Sequence, residues 1–432
     1  MAYSSAQLQA ATESTPRWLR FALLTAPLIG ATFISKFGFP PLTSIGIGIS
    51  IFFLLGALAA GSVLGGVSIE PRRLALFTAM IGILGLIQIF QPNSFSPSSL
   101  LLLIAVHVPY VFSIPGSDDK DRIIKFFLAI VTIFACCGIA QSFFQYFIDP
   151  RFLFPIENFT PSGFIVQQFH TQANMGYGSH EYRANGVFLL EPSFFSQVLA
   201  VGIVAELCTF GRLSRLALFG LALIVSYSGT GLIVLAVCLP LCLVAQRRWG
   251  LLVFGLLALA AIIGFQLYSH GRGLLSRIGE FDSEQSSAYM RFVGGFGLFD
   301  KFLWGDPWRA LFGYGAGSYA TYAAGVHDYA AAEMALFKIV FEFGVVGAIA
   351  YFGFLFSCLY CSSAPRLLIL AVSITYFLNG IYVPFAHGLA LSLLLWDSTP
   401  GGGLWPWVSS RKQPREAISA TALPVPRGIR AW

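Results

Sequence analysis

Charge is what this chain has least of: across 432 residues only 11% are Asp, Glu, Lys or Arg, against 56% hydrophobic. Soluble domains carry about 25% charged and about 45–50% apolar residues, so a water-soluble enzyme is excluded. The same shortage excludes disordered and nucleic-acid-binding chains. Cysteine is missing from the long polar stretches. All seven cysteines lie in apolar runs, which argues against a disulfide scaffold. Cys358 and Cys361 form a C-x-x-C on a hydrophobic helix with no βαβ setting, so packing rather than redox chemistry is its expected role. No small-residue cleavage site follows the apolar run that begins at Phe21, so the first span is expected to be retained. Nor is there an internal repeat of the kind that marks many transporters.

What is present is a series of long charge-poor runs, near 21–36, 42–68, 73–90, 100–115, 126–148, 193–210, 250–268 and 331–357. Two further runs, 216–245 and 367–396, fit either one tilted helix or a tight pair of short ones. Basic residues favour pairs, because Arg212 and Arg215 precede the first run and Arg247 and Arg248 follow it, while Arg366 and Arg411 bracket the second. Splitting both predicts an all-α polytopic membrane protein of about 12 transmembrane helices, at about 20 residues per span. With both termini inside, 17 of the 26 basic residues fall on inner segments, eight lie outside and Lys338 falls within a span.

The expected organisation is then an inner N-terminal segment (1–20), N-terminal helices (21–148), a first outward loop (149–192), central helices (193–268), a second outward loop (269–330), C-terminal helices (331–397) and a disordered inner tail (398–432) placed to touch anionic lipid.

Chemistry-bearing residues gather in and beside the two outward loops. The first ends in Arg183-Ala-Asn-Gly186 and, after four apolar residues, Glu191-Pro192-Ser193. Proline at a first helical position behind an acid is a good helix start; alternatively Glu191 orients Arg183 or acts as a base. In the second loop the apolar residues at 289, 292, 293, 296 and 299 follow helical spacing around Arg291 and suit an interfacial amphipathic helix, which Gly294, Gly295 and Gly297 weaken. The glycines at 313, 315 and 317 lack the Lys-Ser/Thr of a P-loop and read as a flexible turn. His327 is either an incidental interfacial histidine or a base for a hydroxyl, oriented by Asp328 or a backbone carbonyl. Lys338 and Glu342, one helical turn apart inside a span, can form an intramembrane pair, with a structural role preferred.

Guanidinium groups facing a lipid surface offer paired donors to phosphate oxygens. Arg183 and Arg291, with Arg272, Arg277 or Arg309 as further candidates, can hold a lipid diphosphate; for Arg151, Arg277 and Arg309 a headgroup anchor is the preferred reading. Trp304, Trp308, Tyr314, Tyr319, Tyr322 and Tyr329 are candidate stacking surfaces for sugar rings. Asp282-Ser-Glu284 is the nearest metal-like acidic pair and stands alone in a serine-rich stretch, so no metal site is assigned.

Arg183-x-x-Gly186 with Glu191-Pro192-Ser193, the outward Arg291, Gly313-x-Gly315, and His327-Asp328-Tyr329 followed by Glu342-Phe-Gly344-Val-Val-Gly347 together resemble the O-antigen ligase and Wzy-type polysaccharide polymerase superfamily, over roughly residues 183 to 350. The resemblance implies a GT-C-like glycosyltransferase of the bacterial inner membrane, working at its periplasmic face without metal or cofactor and with inversion. It implies undecaprenyl-diphosphate-linked oligosaccharide as donor and acceptor, held by Arg183 and Arg291, with His327 as the base. The residues themselves add Arg272 to the diphosphate site, Glu191 as a second catalytic candidate, and Asp328, Glu342 and Lys338 in support. Asp328 replaces the usual asparagine, and the Glu-Pro-Ser form points to a polymerase of exopolysaccharide repeat units rather than a ligase. A ligase delivering the glycan to lipid A-core, and a transporter or flippase of lipid-linked sugars, are the alternatives. A flippase and a chain-length co-polymerase are the expected protein partners; no nucleic acid is.

Overall fold

The structure is a computed structural model that describes residues 16–40, 42–45, 47–91, 95–114, 119–167, 169–175, 181–247, 286–326 and 334–397. In chain order its helices are α1 (Arg17–Thr32), α2 (Ile49–Val63), α3 (Pro71–Ile89), α4 (Pro97–His107), α5 (Lys120–Phe144), α6 (Pro150–Leu153), α7 (Pro155–Phe159), α8 (Pro192–Cys208), α9 (Leu213–Val225), α10 (Gly229–Ala245), α11 (Ser287–Phe292), α12 (Gly294–Leu298), α13 (Pro307–Phe312), α14 (Ser318–Ala324), α15 (Ala335–Tyr360), α16 (Arg366–Leu378) and α17 (Pro384–Ala390). Proline sets many of these starts: α3, α4, α6, α7, α8, α13 and α17 all begin on one, where the missing N–H costs nothing.

Among the described residues three helices, α3, α5 and α15, are long and apolar enough to cross a membrane. Shorter apolar helices of 10–17 residues, including α8, α9, α10 and α16, pack among them. Both long apolar runs are divided, as their flanking arginines predict. The first breaks between α9 and α10 at Tyr227, which takes a positive φ of 46°, and the second between α16 and α17. The expected span over 250–268 and the tail from 398 onward lie outside the described residues.

Helix α8 is apolar on every side and buried along almost its whole length, the signature of a central helix. It packs against α5, α9, α10 and α16. A Cβ at Gly231 of α10 would run into the backbone of Ser196, so glycine there lets the two helices close up. A second knot of core structure is polar. The Tyr351 hydroxyl lies 2.9 Å from His107 Nε2 and 2.5 Å from the Tyr376 hydroxyl, and Tyr110 meets His387 Nδ1 at 2.7 Å. All five side chains are buried and satisfied, tying α4, α15, α16 and α17 together where lipid-like surroundings would penalise a lone polar group.

At one end of the bundle a two-residue antiparallel ladder, β1 (Ser68–Ile69) with β2 (Phe112–Ser113), leads into α3. Arg73 Nη1 donates there to the carbonyls of Phe112 and Leu395, both at 3.1 Å.

Candidate active site

The first long segment folds back on itself. Met175 N–H donates to Glu181 O and Arg183 N–H to Ala173 O, each at 2.8 Å, and Asn185 Nδ2 donates to Thr171 O at 2.9 Å. His170 N–H then reaches Glu191 Oε1 at 3.3 Å. Residues 169–175 and 181–191 thus run as two arms, with Arg183 Nη2 donating back to Met175 O at 3.1 Å.

Between Arg183 and Glu191 the chain makes a turn that few residues tolerate. Gly186 and Val187 have φ of 68° and 69°; glycine adopts this freely, but a β-branched residue there costs on the order of 1–3 kcal/mol. The surroundings hold it. Gln141 Oε1 accepts from Asn185 N–H at 3.2 Å and Val187 N–H at 3.3 Å, and Asn185 Oδ1 accepts from Val187 N–H at 3.0 Å. On the other side of the residue, the Val187 carbonyl accepts from Lys36 Nζ. Lys36 is fully buried just beyond α1 and pairs with Glu157 of α7 at 2.5 Å. Burial pulls its ammonium below the ordinary lysine range, and Glu157 opposes that shift.

Glu191 occupies the N-cap position of α8, but its carboxylate does not cap the helix. It accepts from Ser193 Oγ at 2.8 Å and faces Arg291 of α11 at 3.7 Å. The expected partner was Arg183; the observed one comes from the second long segment. Arg291 is carried on a helical stretch that is interrupted at Val293, between α11 and α12, as the glycines beside it predict, and Gly295 also permits close packing: a Cβ there would collide with the ring of Phe337 on α15. One residue on, Lys338 pairs with Glu342 at 3.1 Å, as their spacing predicts. Tyr319 N–H approaches Glu342 Oε1 at 3.4 Å, and the Lys338 ammonium lies 5.9 Å from the Tyr319 ring centre and 5.5 Å from that of Tyr382.

The glycine turn is pinned rather than flexible. Helix α15 breaks at Gly344, with φ 66° and ψ −172°, and the carbonyls of Phe341 and Glu342 accept instead from the N–H groups of Tyr314 (3.0 Å) and Gly315 (2.8 Å). A Cβ at Gly313 would strike the Glu342 backbone and one at Gly344 the Leu311 carbonyl. Gln91 Nε2 donates to Gly313 O at 2.9 Å, and Gln88 Oε1 accepts from Ala316 N–H at 2.8 Å. Arg309, expected as a headgroup anchor, bonds to Gln91 and lies 4.8 Å from the Tyr314 ring centre. That ring also stacks on Phe341, and Tyr319 is buried, so neither offers a free face to a sugar. Trp304 and Trp308 remain half exposed.

Glu191 with Arg291, and Lys338 with Glu342, are therefore brought together. A buried amide pair links the two groups: Asn379 Nδ2 donates to Gln197 Oε1 at 2.6 Å, Gln197 lies on α8 beyond Glu191, and Asn379 O accepts from Ala335 N–H at 3.0 Å at the start of α15. His327, Asp328 and Arg272 lie outside the described residues. Sequence reasoning passed over Lys36, His170, Gln197, Asn379 and Tyr382. Gln197 and Asn379 did carry a signal, as lone amides in apolar runs.

Among protein families, the one described as WcaD colanic acid polymerase matches residues 67–371 of the chain. No curated protein and no solved structure matches it. The matched range takes in Arg183, Glu191, Arg291, the glycine turn, Lys338 and Glu342, and leaves Lys36 and Asn379 outside. Covering well over half of the sequence, the match means that this chain belongs to the WcaD colanic acid polymerase family.

Proposed function

We propose that the protein joins undecaprenyl-diphosphate-linked oligosaccharide repeat units into an exopolysaccharide at the periplasmic face of the bacterial inner membrane. The observation that carries this reading is the meeting of Arg291 and Glu191 at 3.7 Å, which draws the two long polar segments together beside the arm that bears Arg183. Membership in the polymerase family supports it.

In the reaction, a hydroxyl oxygen at the non-reducing end of the acceptor unit attacks the anomeric carbon of the donor glycan. The bond from that carbon to the diphosphate oxygen breaks, and its electron pair leaves with the lipid diphosphate, so the configuration inverts. Arg183 and Arg291 stabilise the departing charge with donors already in place, usually the largest single contribution to catalysis. Glu191 holds Arg291 for that task, with its carboxylate itself fixed by Ser193 and the His170 amide. His327 takes the hydroxyl proton, a contribution typically worth about 10²–10⁴-fold in rate. Lys338 and Glu342 support the site by fixing the start of α15.

The test is purified protein in lipid nanodiscs supplied with lipid-linked repeat units alone. The expected product is a ladder of longer lipid-linked glycans with release of undecaprenyl diphosphate. Glycan that lengthens only when lipid A-core is added would replace polymerase with ligase, and lipid-linked sugar that stays intact would leave a transporter.

A further inference from the structure

The geometry points to Lys36 as a positioning residue of this site: from the loop after α1 its ammonium holds the Val187 carbonyl and so fixes the turn that sets Arg183 and Glu191 on either side. This role rests on the polymerase reading. Arg183 lies four residues before Val187 and Glu191 four residues after it, and both arms are already tied to residues 170–175. The turn between them determines how the two functional side chains stand relative to each other.

Val187 is restrained from both sides. Gln141 and Asn185 hold its N–H, and Lys36 holds its carbonyl. With a β-branched side chain at φ 69°, the residue returns to an ordinary conformation once a restraint is lost. A flipped peptide at this point would displace the segment that leads directly into Glu191.

A buried ion pair is a poor way to gain stability alone, since well-packed apolar residues of similar volume serve as well or better. Lys36 is completely buried and Glu157 nearly so. The donation to a strained carbonyl is what an apolar replacement could not supply.

The experiment compares Lys36→Met/Glu157→Leu with the same double variant carrying Val187→Gly, in the nanodisc lengthening assay. Removing both charges leaves no orphaned buried ion, so the double variant should insert and melt close to the wild type. Its kcat is expected to fall about ten- to a hundredfold, the loss of one hydrogen bond to a charged group. Glycine adopts the left-handed conformation unaided, so Val187→Gly should return most of that activity. Glu157→Gln leaves the buried ammonium without its carboxylate and should melt lower, but it keeps the donation to Val187, so the protein that remains folded should lengthen glycan at close to the wild-type kcat. A kcat as low as that of the double variant would make the pair a mere ion-pair staple.

Wild-type activity in the double variant, or a loss that glycine does not rescue, overturns the assignment. A wild-type protein that lengthens nothing overturns the polymerase reading itself. Hydrogen exchange of the Val187 amide separates the two failures, because unchanged protection in the double variant rules out a hold by Lys36 whatever the reaction.

Discussion

Glu191 and Arg291 approach to 3.7 Å with their side chains only 11% and 9% exposed. An arginine so enclosed, facing a carboxylate whose oxygens also accept from Ser193 and the His170 amide, is oriented before any substrate arrives. In the proposed reaction an incoming diphosphate would meet a donor that needs no rearrangement. Arg291→Ala should therefore lower kcat on the order of 10²–10³-fold, as when one preorganised donor is removed. Arg291→Lys should recover little, because an ammonium cannot present two parallel donors. Kinetics in nanodiscs decide it, and a rise in KM with kcat unchanged would assign Arg291 to substrate binding alone.

The Lys338–Glu342 pair makes a different prediction. Its charges are 6% and 1% exposed, one helical turn apart on α15. Lys338→Met leaves the buried carboxylate without its ammonium and should cost about 3–5 kcal/mol, while Lys338→Met with Glu342→Leu should be close to neutral. Thermal unfolding in detergent measures both. Equal destabilisation by the single and double variants would show that the pair is not what holds this part of the helix.

Local features, helix starts and breaks and the Lys338–Glu342 pair, were legible in the sequence and the long-range contacts of the site were not, for a physical reason. Proline at Pro71, Pro192 or Pro384 and the arginines around the two long apolar runs act on their own neighbours, so one stretch of chain reveals them. Lys36 finds its carboxylate 121 residues away, and Gln197 its amide 182 residues away; no local pattern encodes such partners. Glycine was misread for the same reason. Gly295 reads as a weak point in a helix and Gly313 as part of a flexible turn until Phe337 and the Glu342 backbone are seen lying against them.

Gly344 supplies the next prediction. Alanine there must adopt φ 66° and place its Cβ against the Leu311 carbonyl, while the broken helix must still offer its carbonyls to Tyr314 and Gly315. Backbone strain alone costs on the order of 1–3 kcal/mol, and the steric clash adds to it. Gly344→Ala should melt well below the wild type and lose its glycan-lengthening activity. Gly353→Ala in the same helix, where an added Cβ meets nothing within 4 Å, should leave both unchanged. Equal behaviour of the two variants would refute the pinned turn.

The base assignment can be settled between two histidines. His327 carries it by resemblance, while His170 stands with its backbone N–H on Glu191 and an exposed side chain. A base works as neutral imidazole, so removing its ring removes the proton-transfer contribution to kcat. His327→Ala should lose about 10²–10⁴-fold in rate while still binding the lipid-linked donor, and His170→Ala should keep a rate close to wild type. The opposite pattern would move the proton transfer to the arm facing the one that carries Arg183, placing the base and one of the two leaving-group donors on the first long segment.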